Sequence, residues 1–176
     1  MRIKTIIAGF GGQGVLSMGL NLAQAAMLEN KYVTFLPAYG AEVRGGTANC
    51  TVSVSDEEIA SPVASSPAFI IALNHPSMIR FQNKIQSGGV FFLNSTLIKE
   101  PINRGDIEVV NVPANEVAEK MGSIKSANMI MLGAFIKKSN LVRLESLVEG
   151  LSAALKGNKK LIAINTKALN AGYELV

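Results

Sequence analysis

Apolar residues along this chain alternate between short strand-like runs and longer stretches with helical spacing. Residues 3–8 form an apolar, β-branched run that ends in glycines, and apolar residues at helical spacing follow over positions 15–27. A second strand-like run covers residues 32–38. The order strand, tight turn, helix, strand predicts a right-handed crossover in which the two strands pair in parallel, as in one half of a Rossmann-like fold.

The rest of the chain continues this mixed pattern. Apolar and polar residues alternate over residues 47–55, which predicts a strand with one face in water, and residues 56–67 form a polar connection. Further strands are predicted at 69–73, 90–93 and 107–112, and helices after Pro113 and at 126–136, 141–155 and 159–171. We therefore predict one α/β domain over residues 1–176, with a Rossmann-like, mostly parallel sheet of five or more strands flanked by helices.

Composition narrows the classes of partner. Only 17% of the residues are charged, against about 25% in typical soluble domains, and 48% are hydrophobic. This balance indicates that partner proteins cover part of the surface. The net charge of +4 is modest and the basic residues are scattered, so a nucleic-acid partner is disfavoured.

The cysteine count limits the metal and disulfide sites that this chain can form, and the hydropathy limits its location in the cell. One cysteine and one histidine cannot form an internal disulfide, a structural zinc site or a four-cysteine iron–sulfur cluster, so no metal site is expected in this chain. No apolar run reaches the ~18–20 residues that a membrane-spanning helix needs, and the first residues lack the features of a signal peptide. We expect a cytoplasmic protein without a membrane segment.

A glycine-rich turn stands between the first predicted strand and the first predicted helix. Its sequence, GFGGQG, matches the pattern G-x-G-x-x-G, and in this setting backbone amides at a helix start can bind phosphate. The acidic residue that binds the ribose of NAD or FAD is absent, since the second strand ends FLPA. Two interpretations remain open, a nucleotide-like ligand such as CoA or a packing turn without a ligand. The candidate cofactor-binding residues in this turn are Gly9, Gly11, Gly12, Gln13 and Gly14.

A second glycine-rich segment, residues 39–47, follows the second strand, at the edge where open parallel sheets bind their ligands. Arg44, Gly45 and Gly46 in this segment are further candidate cofactor-binding residues. The Arg44 guanidinium is suited to a phosphate or carboxylate of a ligand. Alternatively, it pairs with Glu42 or with an acidic residue of a neighbouring subunit.

Other polar residues receive structural interpretations. Asn74 and Asn94 each follow an apolar strand, so we expect them at the same sheet edge, where they either form turns or orient a CoA group or a partner loop. Cys50 lies on the alternating strand and is predicted to be a small buried hydrophobic residue. No nucleophile and base stand in a recognisable arrangement, so no catalytic residue is predicted.

Two segments, residues 9–14 and residues 37–50 with the sequence PAYGAEVRGGTANC, resemble the gamma subunit of 2-oxoacid:ferredoxin oxidoreductases. The likeness continues through residues 52–56, 59–62, 72–77, 88–89 and 94–95, so it covers at least the first hundred residues. The form AEVRGGT and the following Asn49-Cys50 look most like the enzymes for 2-oxoglutarate or branched-chain 2-oxoacids, and less like those for pyruvate.

The resemblance implies a place in a complex that converts a 2-oxoacid, CoA and oxidised ferredoxin to acyl-CoA, carbon dioxide and reduced ferredoxin. Alpha and beta subunits would bind thiamine diphosphate, a ferredoxin-like delta subunit would carry iron–sulfur clusters, and this chain would have a structural and CoA-side role, with 2-oxoglutarate as the expected substrate. Relatives with lysines in the second loop can bind CoA phosphates there, whereas this chain has Glu42 and Val43, which leaves Arg44 as the nearest cation. The alternative is a stand-alone nucleotide-binding or regulatory Rossmann-like module.

Overall fold

The computed structural model describes residues 1–40 and 46–176. Within these ranges the chain forms six strands and six α-helices, and a short 3-10 helix covers Ile124–Ser126. The strands are β1 (Arg2–Phe10), β2 (Tyr32–Tyr39), β3 (Thr47–Ser55), β4 (Phe69–Ala72), β5 (Val90–Asn94) and β6 (Glu108–Val112). The helices are α1 (Val15–Leu28), α2 (His75–Phe81), α3 (Ala114–Lys120), α4 (Ala127–Ser139), α5 (Leu144–Ala154) and α6 (Lys159–Tyr173).

All six strands belong to one sheet with the order β2-β3-β1-β4-β5-β6. Strands β1, β4, β5 and β6 pair in parallel, and β3 runs antiparallel to both of its neighbours. The prediction of a single α/β domain, with a Rossmann-like, mostly parallel sheet flanked by helices, is confirmed.

The pairing predicted for the first two strands is wrong. Strand β3 lies between β1 and β2 and pairs with both, so that Val52 stands opposite Thr5 on one side and opposite Phe35 on the other. The crossover through α1 therefore passes over one strand before it reaches β2. The pattern of residues 1–38 holds no signal for this insertion, because the inserted strand comes later in the chain.

The prediction that one face of β3 is in water is also wrong. Thr51, Ser53 and Ser55, the polar positions of the alternation, are buried. The Lys4 ammonium crosses this face and donates to the Val63 carbonyl oxygen, so the connection after β3 covers part of it. Small hydroxyl side chains fit under such a cover, whereas the alternating apolar positions of β3 belong to the main core.

Helices and connecting segments cover both faces of the sheet. The main core lies between one face and helices α1, α4, α5 and α6. The second core lies on the other face, where Met78 and Phe81 of α2 pack with Ile85 and Ile98. Parallel strands of this kind are apolar on both faces, so both faces of the sheet must be covered. No helix in residues 1–40 and 46–176 is long and apolar enough to cross a membrane.

Helices α4 and α6 cross at two glycines. A Cβ atom at Gly133 would overlap the Leu169 carbonyl oxygen, and a Cβ atom at Gly172 would overlap the Ile130 carbonyl oxygen. The two backbones can therefore approach only because both crossing positions lack a side chain. This contact fixes α4, whose first turn lies beside the glycine-rich turn, against the body of the domain.

We expect Gly133→Ala to lower the free energy of unfolding by about 3 kcal/mol, because the added methyl group must push two helix backbones apart. Urea unfolding followed by circular dichroism measures the change. Gly105→Ala is the matched control, because a Cβ atom at Gly105 meets no atom within 4 Å. Equal loss in both variants would show that the helix crossing is not the tight contact described above.

Candidate functional site

The reversal between β1 and α1 depends on glycine. Gly12 and Gly14 have φ angles of 96° and 76°, in the left-handed region that residues with a side chain rarely adopt. A Cβ atom at Gly14 would also overlap the side-chain amide of Asn128. By contrast, the Cβ position of Gly12 meets no atom within 4 Å, so Gly12 presents bare backbone to open space.

Gln13 holds this turn against the end of β4. Its Oε1 accepts hydrogen bonds from the Phe10 N–H at 2.7 Å and from the Asn74 Nδ2 at 3.0 Å, and its Nε2 donates to the Leu73 carbonyl oxygen at 3.4 Å. Gly9 leaves space for it, because a Cβ atom there would lie 2.7 Å from the Gln13 Oε1. Gln13, a predicted ligand-binding residue, thus has its amide engaged by the protein.

The first turn of α1 has backbone N–H groups without partners, and these groups face the glycine-rich turn. The first intrahelical bond runs from Met18 to the Gly14 carbonyl oxygen, which leaves the N–H groups of Val15, Leu16 and Ser17 without helical partners. Gly14 at the N-cap has no side chain to accept from them, and the first turn contains no acidic residue. The helix dipole adds partial positive charge at the same point. This helix start is therefore suited to an anion.

A cavity of about 420 Å³ lies in front of these donors. Phe10, which is 36% exposed, and Tyr39, which is 71% exposed, are the aromatic residues of its wall. The wall contains no acidic residue in the part of the chain that the structure describes. The lining residues are Phe10, Gly11, Gly12, Gly14, Val15, Leu16, Ser17, Tyr39, Gly40, Gly46, Thr47 and Ala48.

The second glycine-rich segment meets the first at this cavity. The Gly11 N–H donates to the Gly46 carbonyl oxygen at 2.9 Å, and the Gly40 N–H donates to the Thr47 carbonyl oxygen at 2.7 Å. The placement of β3 beside β1 produces this meeting, because it brings Thr47 opposite Phe10. Two further predicted site residues, Arg44 and Gly45, lie outside the described residues.

A second, smaller cavity of about 180 Å³ opens on the other side of the glycine-rich turn. It lies at the carboxyl ends of β4 and β5 and beside the first turn of α4. Asn115, Lys125 and Asn128 in its wall were not singled out in the sequence, because no local motif marks three residues that only the fold brings together. The lining residues are Gly12, Gln13, Leu73, Asn94, Asn115, Ile124, Lys125, Ala127 and Asn128.

The expectation that Asn74 and Asn94 share a sheet edge is confirmed. Asn74 forms the N-cap of α2 by accepting from the Ser77 N–H at 2.9 Å, so the turn-forming role holds for this residue. The Asn94 Nδ2 donates to the Asn115 Oδ1 at 2.7 Å and lies 3.5 Å from the Leu73 carbonyl oxygen. Asn94 therefore faces the second cavity, whereas the Asn74 side chain turns toward α2 and Gln13.

The prediction for Cys50 is also confirmed, since its side chain is fully buried. Burial raises the pKa of the Cys50 thiol to about 12. Gly19 packs directly on this thiol, and a Cβ atom at Gly19 would lie 2.5 Å from the Cys50 Sγ. Cys50 therefore serves packing between α1 and β3.

An open, mostly parallel α/β sheet with a glycine-rich turn between its first strand and first helix defines a Rossmann-like domain. Comparison with known proteins is more specific. The chain belongs to the pyruvate ferredoxin/flavodoxin oxidoreductase family, whose model matches residues 4–175.

Two relatives among known proteins are subunits of enzymes. The ketoisovalerate oxidoreductase subunit VorA of Methanothermobacter thermautotrophicus is 41% identical over 174 residues, which are 98% of this chain and 36% of that protein. The 2-oxoglutarate synthase subunit KorC of Methanothermobacter marburgensis is 32% identical, with 100% of this chain and 97% of that protein covered. The predicted resemblance to the gamma subunit of 2-oxoacid:ferredoxin oxidoreductases is confirmed.

A solved structure matches the whole fold. The 2-oxoglutarate:ferredoxin oxidoreductase from Magnetococcus marinus, with 2-oxoglutarate, coenzyme A and succinyl-CoA bound, has a TM-score of 0.92 and 26% identity. The match covers 99% of this chain and 31% of that chain. This chain thus spans about a third of the length of that protein and of VorA, and nearly the full length of KorC.

We expect Cys50 to resist iodoacetamide at pH 8 in the folded chain and to react once urea unfolds it. The unfolded thiol loses its proton near pH 9, whereas the folded thiol keeps it until about pH 12. The contribution to stability is therefore complete below pH 9 and is lost as the pH rises from 9 to 12. Unfolding free energies measured across this range should fall more steeply for the natural chain than for Cys50→Ala. Equal alkylation rates with and without urea would contradict the burial of the thiol.

Proposed function

We propose that this chain is the gamma subunit of a multi-subunit, thiamine diphosphate-dependent, CoA-acylating 2-oxoacid:ferredoxin oxidoreductase. Its gamma-type domain, residues 1–176, has a structural role and binds CoA. The complex converts a 2-oxoacid, CoA and oxidised ferredoxin to acyl-CoA, carbon dioxide and reduced ferredoxin. The observation that carries the CoA-binding role is the uncapped start of α1 in a cavity without acidic residues among those described.

The CoA diphosphate fits the glycine-rich turn. The orphan N–H groups of Val15, Leu16 and Ser17 line the cavity, and charge-assisted hydrogen bonds from backbone amides are well suited to phosphate oxygens. Gly11 and Gly12 add no side chain that would keep a phosphate away from the backbone. Gly9 and Gln13 support the turn from behind and need not touch the ligand.

The described ends of the second segment line the same cavity. Gly40 and Gly46 both line it, and Arg44 lies in the sequence between them. We propose on this sequence position that the Arg44 guanidinium supplies a cation for the diphosphate, because the described wall of the cavity contains none. We propose Arg44, Gly45 and Gly46 as CoA-side residues on this basis.

We propose that partner subunits supply the thiamine and iron–sulfur chemistry of the complex. Its one cysteine is fully buried, and no group of three or more metal-binding side chains occurs within residues 1–40 and 46–176. We propose that alpha and beta subunits bind thiamine diphosphate and that a ferredoxin-like delta subunit carries iron–sulfur clusters. Exposed apolar residues on α1, Leu20, Met27 and Leu28, support burial of this helix against such partners.

A second candidate function uses the same turn. A stand-alone nucleotide-binding or regulatory module would bind a free nucleotide at the uncapped α1 and would need no partner. Titration of NAD, ATP and CoA against the purified chain separates the two, because the gamma-subunit role predicts preference for CoA. Tight NAD binding by a chain that co-purifies with no other subunit would favour the regulatory module.

Ser17→Asp tests the anion site without harming the fold. Ser17 is exposed at the third position of α1, where a carboxylate stabilises a helix by about 0.3–1 kcal/mol. The same carboxylate repels a phosphate at the turn, so CoA affinity should fall about tenfold or more while the melting temperature is kept. Isothermal titration and thermal unfolding measure the two effects. Ser17→Asn, which matches Asp in size and adds no charge, is the control and should bind CoA more tightly than Ser17→Asp by about the same factor.

We propose two candidate substrates for the complex, 2-oxoglutarate and ketoisovalerate, which are both 2-oxoacids. The form of the second segment favours 2-oxoglutarate or a branched-chain 2-oxoacid over pyruvate. The likeness to KorC supports 2-oxoglutarate, and the higher identity to VorA supports a branched-chain acid, ketoisovalerate. Specificity should lie mainly with the thiamine-bearing subunits, so the assembled complex must be assayed.

We expect this chain, isolated from its source, to co-purify with a thiamine-binding pair and a ferredoxin-like chain. The complex should reduce ferredoxin only when CoA and one of these 2-oxoacids are both present. Steady-state rates with 2-oxoglutarate, ketoisovalerate and pyruvate rank the candidates. Equal rates with pyruvate and the other two acids would remove the substrate preference inferred from the second segment.

A further inference from the structure

The second cavity continues the surface on which the proposed diphosphate lies. Gly12 lines both cavities, and the position of its missing Cβ is open. A ligand held at the start of α1 can therefore pass over Gly12 into the second cavity without meeting a side chain. At about 180 Å³ this cavity has room for a group several times the ~30 Å³ volume of a water molecule.

Donors from several elements surround the second cavity. Helix α4 begins here, and Ser126 pairs with the Ser123 hydroxyl at 2.8 Å instead of capping the helix. The Ala127 N–H donates to the Ile124 carbonyl oxygen and the Met129 N–H donates to the Asn128 Oδ1, so the helix start contributes mainly the positive end of its dipole. Lys125 is exposed and forms no ion pair within residues 1–40 and 46–176. No acidic residue appears among the described residues of the wall. This balance of charge is suited to a second anion.

Asn94 adds an acceptor to these donors. Its side chain is 1% exposed, and its Oδ1 is buried without a hydrogen-bond partner in the described part of the chain. Its Nδ2 is held by the Asn115 Oδ1 at 2.7 Å, so the amide cannot turn freely to satisfy Oδ1 elsewhere. A buried acceptor without a donor is costly, and a ligand hydroxyl would supply the donor. The cavity thus matches a group that carries both an anion and a hydroxyl.

We infer that the second cavity binds the 3′-phosphorylated ribose of CoA, with Lys125, beside the start of α4, on the 3′-phosphate and Asn94 on the 2′-hydroxyl. The inference rests on the proposed CoA-binding role, and it adds a determinant that the glycine-rich turn does not provide. In CoA the phosphoribose is attached directly to the diphosphate, which agrees with two cavities that share Gly12. The pantetheine arm then leaves through the first cavity, between Phe10 and Tyr39.

The test compares CoA with dephospho-CoA, which lacks only the 3′-phosphate, by isothermal titration against the full chain. The natural chain should bind CoA about tenfold more tightly than dephospho-CoA, which is the effect of one hydrogen-bonded charge pair. Lys125→Ala should remove most of this difference by weakening CoA binding alone. Lys160→Ala, which removes the same charge from α6 outside both cavities, should leave the difference unchanged.

Asn94→Asp is the second variant, because it keeps the shape and puts a negative charge in the cavity wall. It should weaken CoA more than dephospho-CoA, and its thermal unfolding shows whether the fold is kept. Equal binding of the two ligands by the natural chain, or a difference that survives in Lys125→Ala, would overturn the phosphoribose site and leave the CoA-binding role standing. Failure of both ligands to bind would overturn the CoA-binding role and the phosphoribose site together.

Discussion

The anchoring of the glycine-rich turn is the interaction on which the candidate site depends. The Gln13 amide ties the turn to the end of β4, and the Asn128 Nδ2 donates to the Gly14 carbonyl oxygen at 3.4 Å, which ties it to the start of α4. These bonds hold the first turn of α1 in place without using a side-chain cap. The unsatisfied amides are therefore positioned before any ligand arrives, and preorganised donors lose little freedom on binding.

The antiparallel strand β3 forms the second wall of the first cavity, opposite the glycine-rich turn. In a sheet where β2 paired directly with β1, the segment after β2 would follow the strand next to the turn. Here β3 occupies that position and returns toward β1, so Gly46 comes within hydrogen-bond distance of Gly11. Strand β2 is left at the edge of the sheet, with Tyr32, Leu36 and Tyr39 exposed. An edge of this kind is normally covered in an assembly.

The sequence predicts local structure here better than it predicts pairing. Strand β3 begins and ends at the predicted residues 47 and 55, and Pro113 does precede a helix, because both depend on patterns within a few residues. The insertion of β3 and the burial of Thr51 and Ser53 could not be predicted in this way, since they depend on which distant strands and connections become neighbours.

The same distinction applies to the site. The glycine-rich turn is visible as a motif, but the bracing role of Gln13 depends on Leu73 and Asn74, about sixty residues away. Asn115, Lys125 and Asn128 belong to no motif and meet only because α3 and α4 both begin near the end of β5. Residues of this kind become visible only when the fold places several helix starts at one edge.

The chemistry of the two cavities suits binding more than bond cleavage. Their described walls offer backbone amides, carboxamides, hydroxyl groups, two aromatic rings and one lysine, and they contain no carboxylate, thiol or imidazole. Such groups hold and orient a charged ligand, but a carboxylate, thiol or imidazole is the usual source of a general base or nucleophile. In the CoA-binding role proposed above, a domain built this way would position CoA while another subunit acts on its thiol. In that role, recognition would rest on the phosphates, which lie at the end of CoA away from the reacting sulfur.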